Sequence, residues 1–265
     1  MRHRSLLMAF RSFWGRRWHA WTPNQAEIQP IEAGVRLALH QHDRMVYSDA
    51  QLDDYVENGL SWYAPVRLQL EARFLGEPED FVGTAGFGWW NDPAGTGLRR
   101  LRLPQALWFF YAGAASQLEL TANGAHNGWL AMSFVPRLGW CLGLLPLAPL
   151  ALVLSQNTWL RQRCCLPLLQ LALGVRSQPI KLRWNTWQQY QIDWYADRVE
   201  FWLDQQLVLQ IASVPTSDLG LILWLDNQYA QVSPRGIVRG GILAHQNQAL
   251  EIRHLTISDL TTPAL

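Results

Sequence analysis

Lysine is almost missing from this chain: of 22 basic residues in 265, only Lys181 is a lysine. Acids are missing from two long stretches, before Glu27 and between Glu119 and Asp193, which are therefore purely cationic. The formal net charge is nevertheless only +1. That balance lacks the concentrated basic surface that displaces counterions from phosphates, and it excludes a dedicated nucleic-acid binder. Cysteine is scarce too. Cys141 and the adjacent Cys164 and Cys165 are odd in number and badly spaced for a disulfide framework or a zinc site, so reduced, buried thiols are expected and no metal is assigned. No Asn-x-Ser/Thr acceptor occurs, and the apolar run of the opening segment stops at Arg11 without a small-residue cleavage site. Both absences point to a cytoplasmic protein, at most peripheral on the inner face of a membrane. No cofactor motif is read: Gly83-Thr-Ala-Gly-Phe-Gly88 precedes no helical pattern, which favours a close-packed strand over a phosphate loop.

What is present falls into an arm and a large β domain. Residues 1–26 interleave arginines with aromatic and aliphatic residues. Leu6, Phe10, Phe13, Trp14 and Trp18 recur at steps of three and four, which predicts an amphipathic helical arm. Residues 27–265 read as one β domain. From about residue 45 the period becomes two, most plainly over Val66–Phe74, where Val66, Leu68, Leu70, Ala72 and Phe74 face one way and Arg67, Gln69, Glu71 and Arg73 the other. Further runs of this kind are predicted at 105–111, 117–121, 129–135, 188–195, 198–203, 207–211, 219–225 and 250–257. Asn123-Gly124, Asn127-Gly128 and Asp204-Gln205-Gln206 serve as turns. Many strands joined by short polar turns predict a sandwich or barrel.

The apolar block at about 138–175 breaks this period. It is predicted to be an inserted helical hairpin, and Pro146, Pro149 and Pro167 leave neither half with the roughly 20 unbroken apolar residues of a membrane span.

The stretch Trp187-Gln-Gln-Tyr-Gln-Ile-Asp-Trp-Tyr-Ala-Asp-Arg-Val-Glu-Phe-Trp-Leu-Asp204 resembles glycoside hydrolase family 16, in the concanavalin A-like superfamily of glucanases and lectins. A strand of the form Trp-x-x-Tyr-x-x-x-Trp runs into a hairpin there, with Gln205 where the turn glycine is usual. Val66–Phe74, Phe87–Pro93, 219–225 and 250–257 fall in the family's order. The resemblance implies a jelly-roll sandwich of two antiparallel sheets. It also implies a catalytic Glu-x-Asp-x-x-Glu strand in the place of Gln105–Tyr111, which contains no carboxylate; no acid occurs between Asp92 and Glu119. The chemistry of retention needs two carboxyl groups about 5 Å apart. A catalytically degenerate glucanase-like domain follows, with no catalytic residue assigned.

Two groups of residues are candidates for binding. Trp89, Trp90, Asn91, Asp92, Trp108, Tyr111, Asp226, Asn227 and Tyr229 would border the concave face of such a fold, where rings stack on sugars and polar groups bond hydroxyls, so a glycan or glycolipid headgroup is the expected ligand. The bland reading is that these tryptophans fill the core. Arg11, Trp14, Arg16, Arg17 and Trp18 of the arm, with Arg161 and Arg163 of the insert, suit an anionic membrane surface; a cap over the sheet or a dimer contact is the alternative for the insert. Two further functions stay open: a glycoside hydrolase using an unusual pair such as Asp92 with Asp226, or His126 as a base, and a peripheral membrane scaffold without a sugar ligand.

Overall fold

The computed structural model describes residues 18–24, 26–41, 45–92, 103–118, 127–136, 173–232 and 238–260, with isolated positions between 139 and 168. Its strands are β1 (His19–Trp21), β2 (Ala26–Ile31), β3 (Gly34–Leu39), β4 (Asp49–Asp53), β5 (Val66–Leu75), β6 (Thr84–Trp90), β7 (Ala106–Ala112), β8 (Gln117–Leu118), β9 (Gly128–Phe134), β10 (Val175–Pro179), β11 (Gln188–Trp194), β12 (Val199–Leu203), β13 (Gln206–Ile211), β14 (Gly220–Asp226), β15 (Gln228–Val232), β16 (Val238–Ile242) and β17 (Gln248–Asp259). A four-residue helix, α1 (Tyr55–Asn58), follows β4.

Two seven-stranded antiparallel sheets form the sandwich. The first has the order β1-β4-β14-β6-β7-β9-β10 and the second β13-β12-β11-β5-β17-β3-β2; β16-β15-β8 make a small third sheet. β5 alternates buried and half-buried side chains along its whole length, as its period of two requires. The core lies between the sheets, where Phe87, Phe109 and Trp129 of the first meet Phe74, Tyr190 and Phe201 of the second. Each such large apolar side chain removed from water stabilises the fold by about 1.5–3 kcal/mol.

The hairpin expected after Leu203 is present: Leu203 pairs with Gln206. Asp204 and Gln205 both take positive φ, 47° and 66°, the backbone of a two-residue type I′ turn. A side chain at both positions carries strain that glycine avoids. The Asp204 carboxylate offsets it, accepting from the Gln189 amide at 2.9 Å and from Arg183.

Several expectations are corrected. Strands begin at residue 19, not near 45: β2 pairs with β3 in register from Ala26 opposite Leu39 to Ile31 opposite Gly34. Residues 18–24 and Ala26 thus leave the arm: Trp18 is 1 % exposed and packs in the core, so it is not free for a membrane surface. Cys164 is exposed rather than buried. The rest of the arm, including Arg11, Trp14, Arg16 and Arg17, lies outside the described residues, as do Arg161, His126 and nearly all of the expected helical hairpin; Arg163 is exposed. No helix among the described residues is long and apolar enough to cross a membrane.

Candidate functional site on the outer face of the first sheet

Alternation divides the proposed groove residues between two faces. Trp89 and Tyr111 point inward and pack in the core, which corrects their placement in a groove. Their neighbours Trp90 and Trp108 point outward and stack on one another, ring centroids 4.9 Å apart. Trp108 also meets Phe110 at 5.7 Å and Trp224 at 5.3 Å.

Glycine makes this arrangement possible. Gly86 and Gly88 occupy the outward positions of β6, and a Cβ on Gly86 would sit 2.6 Å from Cη2 of Trp224. Trp224 therefore lies across the strand over Gly86, which accounts for the close-packed reading of the glycine run.

Register sets the rest of the face. One row runs Gln51, Trp224, Gly86, Phe110, Leu130, and the next Asp53, Ile222, Gly88, Trp108, Met132. The face is thus acidic on β4, aromatic over β14, β6 and β7, and aliphatic on β9. Tyr55 of α1 packs with Ile222 and Trp224, and its ring fills the space over Gly220, where a Cβ would meet it at 2.4 Å.

A third row joins Asp49 directly to Asp226 and Asp226 to Thr84. Asp226 accepts from the Thr84 and Gln228 amides at 3.0 and 2.9 Å and from the Thr84 hydroxyl at 3.0 Å. That hydroxyl in turn accepts the Trp224 indole N–H at 3.0 Å. Among the described residues Asp49 receives only the Tyr47 hydroxyl, 2.7 Å from Oδ2. Its Oδ1 is buried without a hydrogen-bond partner. Asp53 accepts from Gln51 at 3.0 Å and from the Val56 amide at 3.2 Å, and its Oδ2 lies 3.0 Å from Nδ1 of His19.

Burial and like charge act on these acids together. Desolvation, then the Asp226 charge, pushes Asp49 up to about 8. Burial raises Asp226 to about 6, held lower by its hydrogen-bond donors. Asp53 is raised by burial, against the pull of His19 and Gln51. Tyr47 and Tyr55 are raised as well, first by burial and then by the surrounding aspartates.

The remaining candidates serve the framework. Asn91 is fully buried, donating to the Leu103 carbonyl at 2.8 Å and accepting the Gln105 amide at 2.9 Å, so it clamps the β6–β7 connection. Asn227 donates to the carbonyls of Val46 and Leu243 and accepts from the Ser48 amide. Asp92 is buried with φ of 41°. Tyr229 stands on the third sheet beside Gly241. No group of three or more His, Cys, Asp or Glu side chains fit to hold a metal occurs among the described residues.

No protein-family model matches the sequence, and no curated protein matches it. Solved structures do. One, from work on the endo-acting O-glycanases with which human gut microbiota initiate mucin breakdown, is 9% identical with a TM-score of 0.54, covering 92% of each chain. The fold is the concanavalin A-like jelly roll. The carbohydrate recognition domain of Emp47p, 10% identical with a TM-score of 0.48, covers 91% of this chain and 88% of its own. The Bacillus licheniformis β-glucanase, 9% identical with a TM-score of 0.46, covers 89% of both.

Within this jelly roll, β7 is the strand on which the family 16 resemblance set the catalytic carboxylates. It presents Trp108 and Phe110 outward instead, and the outward acids stand on β4 and β14. Sequence reasoning missed Tyr47, Asp49, Asp53 and Tyr55. The spacing Asp49-x-Gln51-x-Asp53 was a usable signal, since alternate strand residues share a face.

Proposed function

We propose that the outer face of the first sheet binds a carbohydrate, with the Trp90 and Trp108 rings stacking on sugar faces and the β4 side chains Asp49 and Gln51 receiving hydroxyls. The observation that carries this reading is the Asp49 carboxyl. It is 5 % exposed, one oxygen has no partner, and it shares its face with the stacked indoles. A buried polar atom without a partner costs about 1–3 kcal/mol, and a hydroxyl donor removes that cost. Sugars supply hydroxyls and flat apolar faces together, which matches both halves of the lining. The O-glycanase structure of the same fold supports a glycan as the ligand class.

The test is a glycan array with the full chain, followed by calorimetry on the hits. Binding to at least one glycan is expected, reduced by about tenfold or more in Trp90→Ala and in Asp49→Asn. Absence of any hit, or hits that both variants retain at full affinity, overturns the reading.

A second reading is glycoside cleavage, favoured by the direct opposition of Asp49 and Asp226 and by their separated titrations. Burial raises both carboxyls, and the Asp226 charge raises Asp49 further, so Asp49 holds its proton more tightly than Asp226, the division of labour that glycosidases need. Asp49 would protonate the leaving glycosidic oxygen as Asp226 attacks the anomeric carbon. Asp49 would then take a proton from the water that releases the sugar from Asp226. Release of reducing ends from the bound glycan, abolished in Asp49→Asn, is the expected result. A glycan that binds and stays intact removes this second reading and leaves the first.

A further inference from the structure

The outer face of the second sheet carries a separate groove of about 280 Å³, lined by Arg67, Gln191, Asp193, Tyr195, Trp202 and Gln205 among others. Two registered rows build it. Arg67, Asp193 and Glu200 stand side by side on β5, β11 and β12, and Gln69, Gln191 and Trp202 form the next row.

Every charge at the groove is already answered. Arg67 grips Asp193 through Nε and Nη2, both at 2.7 Å, and Arg198 reaches Glu200 at 2.7 Å. An ionic ligand therefore finds no unpaired charge here. The amides, by contrast, form an oriented chain. Gln69 Nε2 donates to Gln191 Oε1 at 2.6 Å, and Gln191 Nε2 donates to Asp193 Oδ2 at 2.8 Å. Donation along such a chain polarises each member and fixes its geometry. Beside it, Trp202 keeps its Nε1 buried without a partner. The groove opens on the face of the sheet over β5, β11 and β12 and not along the edge of β13, so an added peptide strand is not its occupant.

We infer that this groove is a second carbohydrate site, taking a neutral sugar on the Trp202 ring with the rigid glutamine amides as its hydroxyl partners. Its volume lies just below the usual range for ligand pockets, which suits one or two sugar rings more than a long chain. The inference does not depend on the first sheet's face, and two ligand faces on opposite sides of one sandwich would allow a single chain to bridge two glycans.

The experiment uses the full chain carrying Trp90→Ala and Asp49→Asn together, which disables the other face. It is titrated with cellotetraose, laminaritetraose, maltotetraose and mannotetraose at millimolar concentration, read by tryptophan fluorescence and calorimetry. At least one tetrasaccharide is expected to bind, and adding Gln191→Ala or Trp202→Ala is expected to weaken it by about tenfold or more. Gln191→Ala leaves both Arg67–Asp193 hydrogen bonds in place, so it remains informative should Trp202→Ala fail to fold. No binding in this background, or binding indifferent to Gln191→Ala, overturns the second site. The reading of the first face is judged separately, from the wild type against Trp90→Ala alone.

Discussion

On the outer face of the second sheet, buried carboxylates lie in forks of guanidinium: Asp193 with Arg67, and Glu251 between Arg36 at 2.8 Å and Arg73 at 2.6 Å. On the outer face of the first sheet, Asp49, Asp53 and Asp226 gather with His19 as the one basic side chain bonded to any of them among the described residues. The two sheets have the same alternation, yet one face pairs its acids with guanidinium groups while on the other burial raises the carboxyls of Asp49, Asp53 and Asp226. A paired acid is committed to the framework, whereas an unpaired one is held at a cost that a ligand can relieve. The same contrast separates the two inferred sugar sites, one lined by acids of raised pKa and the other by amides with every charge matched.

The largest expected effect tests the division between faces within one strand. Trp89→Ala, which empties a core position, is expected to cost about 3–5 kcal/mol of stability, while Trp90→Ala next to it costs less than half of that. Urea unfolding with a common slope checks it, and equal losses at the two positions would erase the inner and outer assignment.

Next comes pH. Asp49 titrates in the folded protein near 8 against an ordinary 3.8, so between these values the folded state binds more protons than the unfolded state. Stability therefore falls as pH rises from about 4 to 8, by at most about 1.4 kcal/mol for each step of one in pH. Asparagine stays neutral throughout. Asp49→Asn is thus expected to gain on the wild type by a few kcal/mol as pH climbs over this range, measured as the difference in unfolding free energy at each pH. A difference that does not vary with pH would mean that burial is not what raises Asp49.

The smallest effect comes from the paired face. Glu251→Gln leaves Arg36 and Arg73 without their shared carboxylate, but both guanidinium groups are about one-third exposed and recover hydration. A loss of about 1–2 kcal/mol is expected, below the range for fully buried pairs and screened in part by salt.

Much of this is legible in the chain alone. The alternation over Val66–Phe74 places those side chains as β5 shows them, and the missing carboxylates between Asp92 and Glu119 hold for β7. The segments from Trp187 to Asp204 give β11 and β12 with the hairpin after them. Three features escaped. β2 contains Pro30, which reads against a strand, and β3 went unread although Val35, Leu37 and Leu39 alternate along it. Trp89 and Trp90 are identical in composition and differ only in which way the pleat turns them. The cluster of Asp49 with Asp226 joins residues 177 positions apart, through a strand pairing that no local period reveals.

Side-chain alternation and residue identity are local properties, so the order of residues suffices to specify the jelly roll's repeating strands and the absence of acids from β7. Which acids gather on the outer face is a matter of long-range pairing. Strand order brings β4 against β14, and register sets Asp49 opposite Asp226. Burial at that junction, absent from the extended chain, is what raises the Asp49 carboxyl above the ordinary carboxylate range.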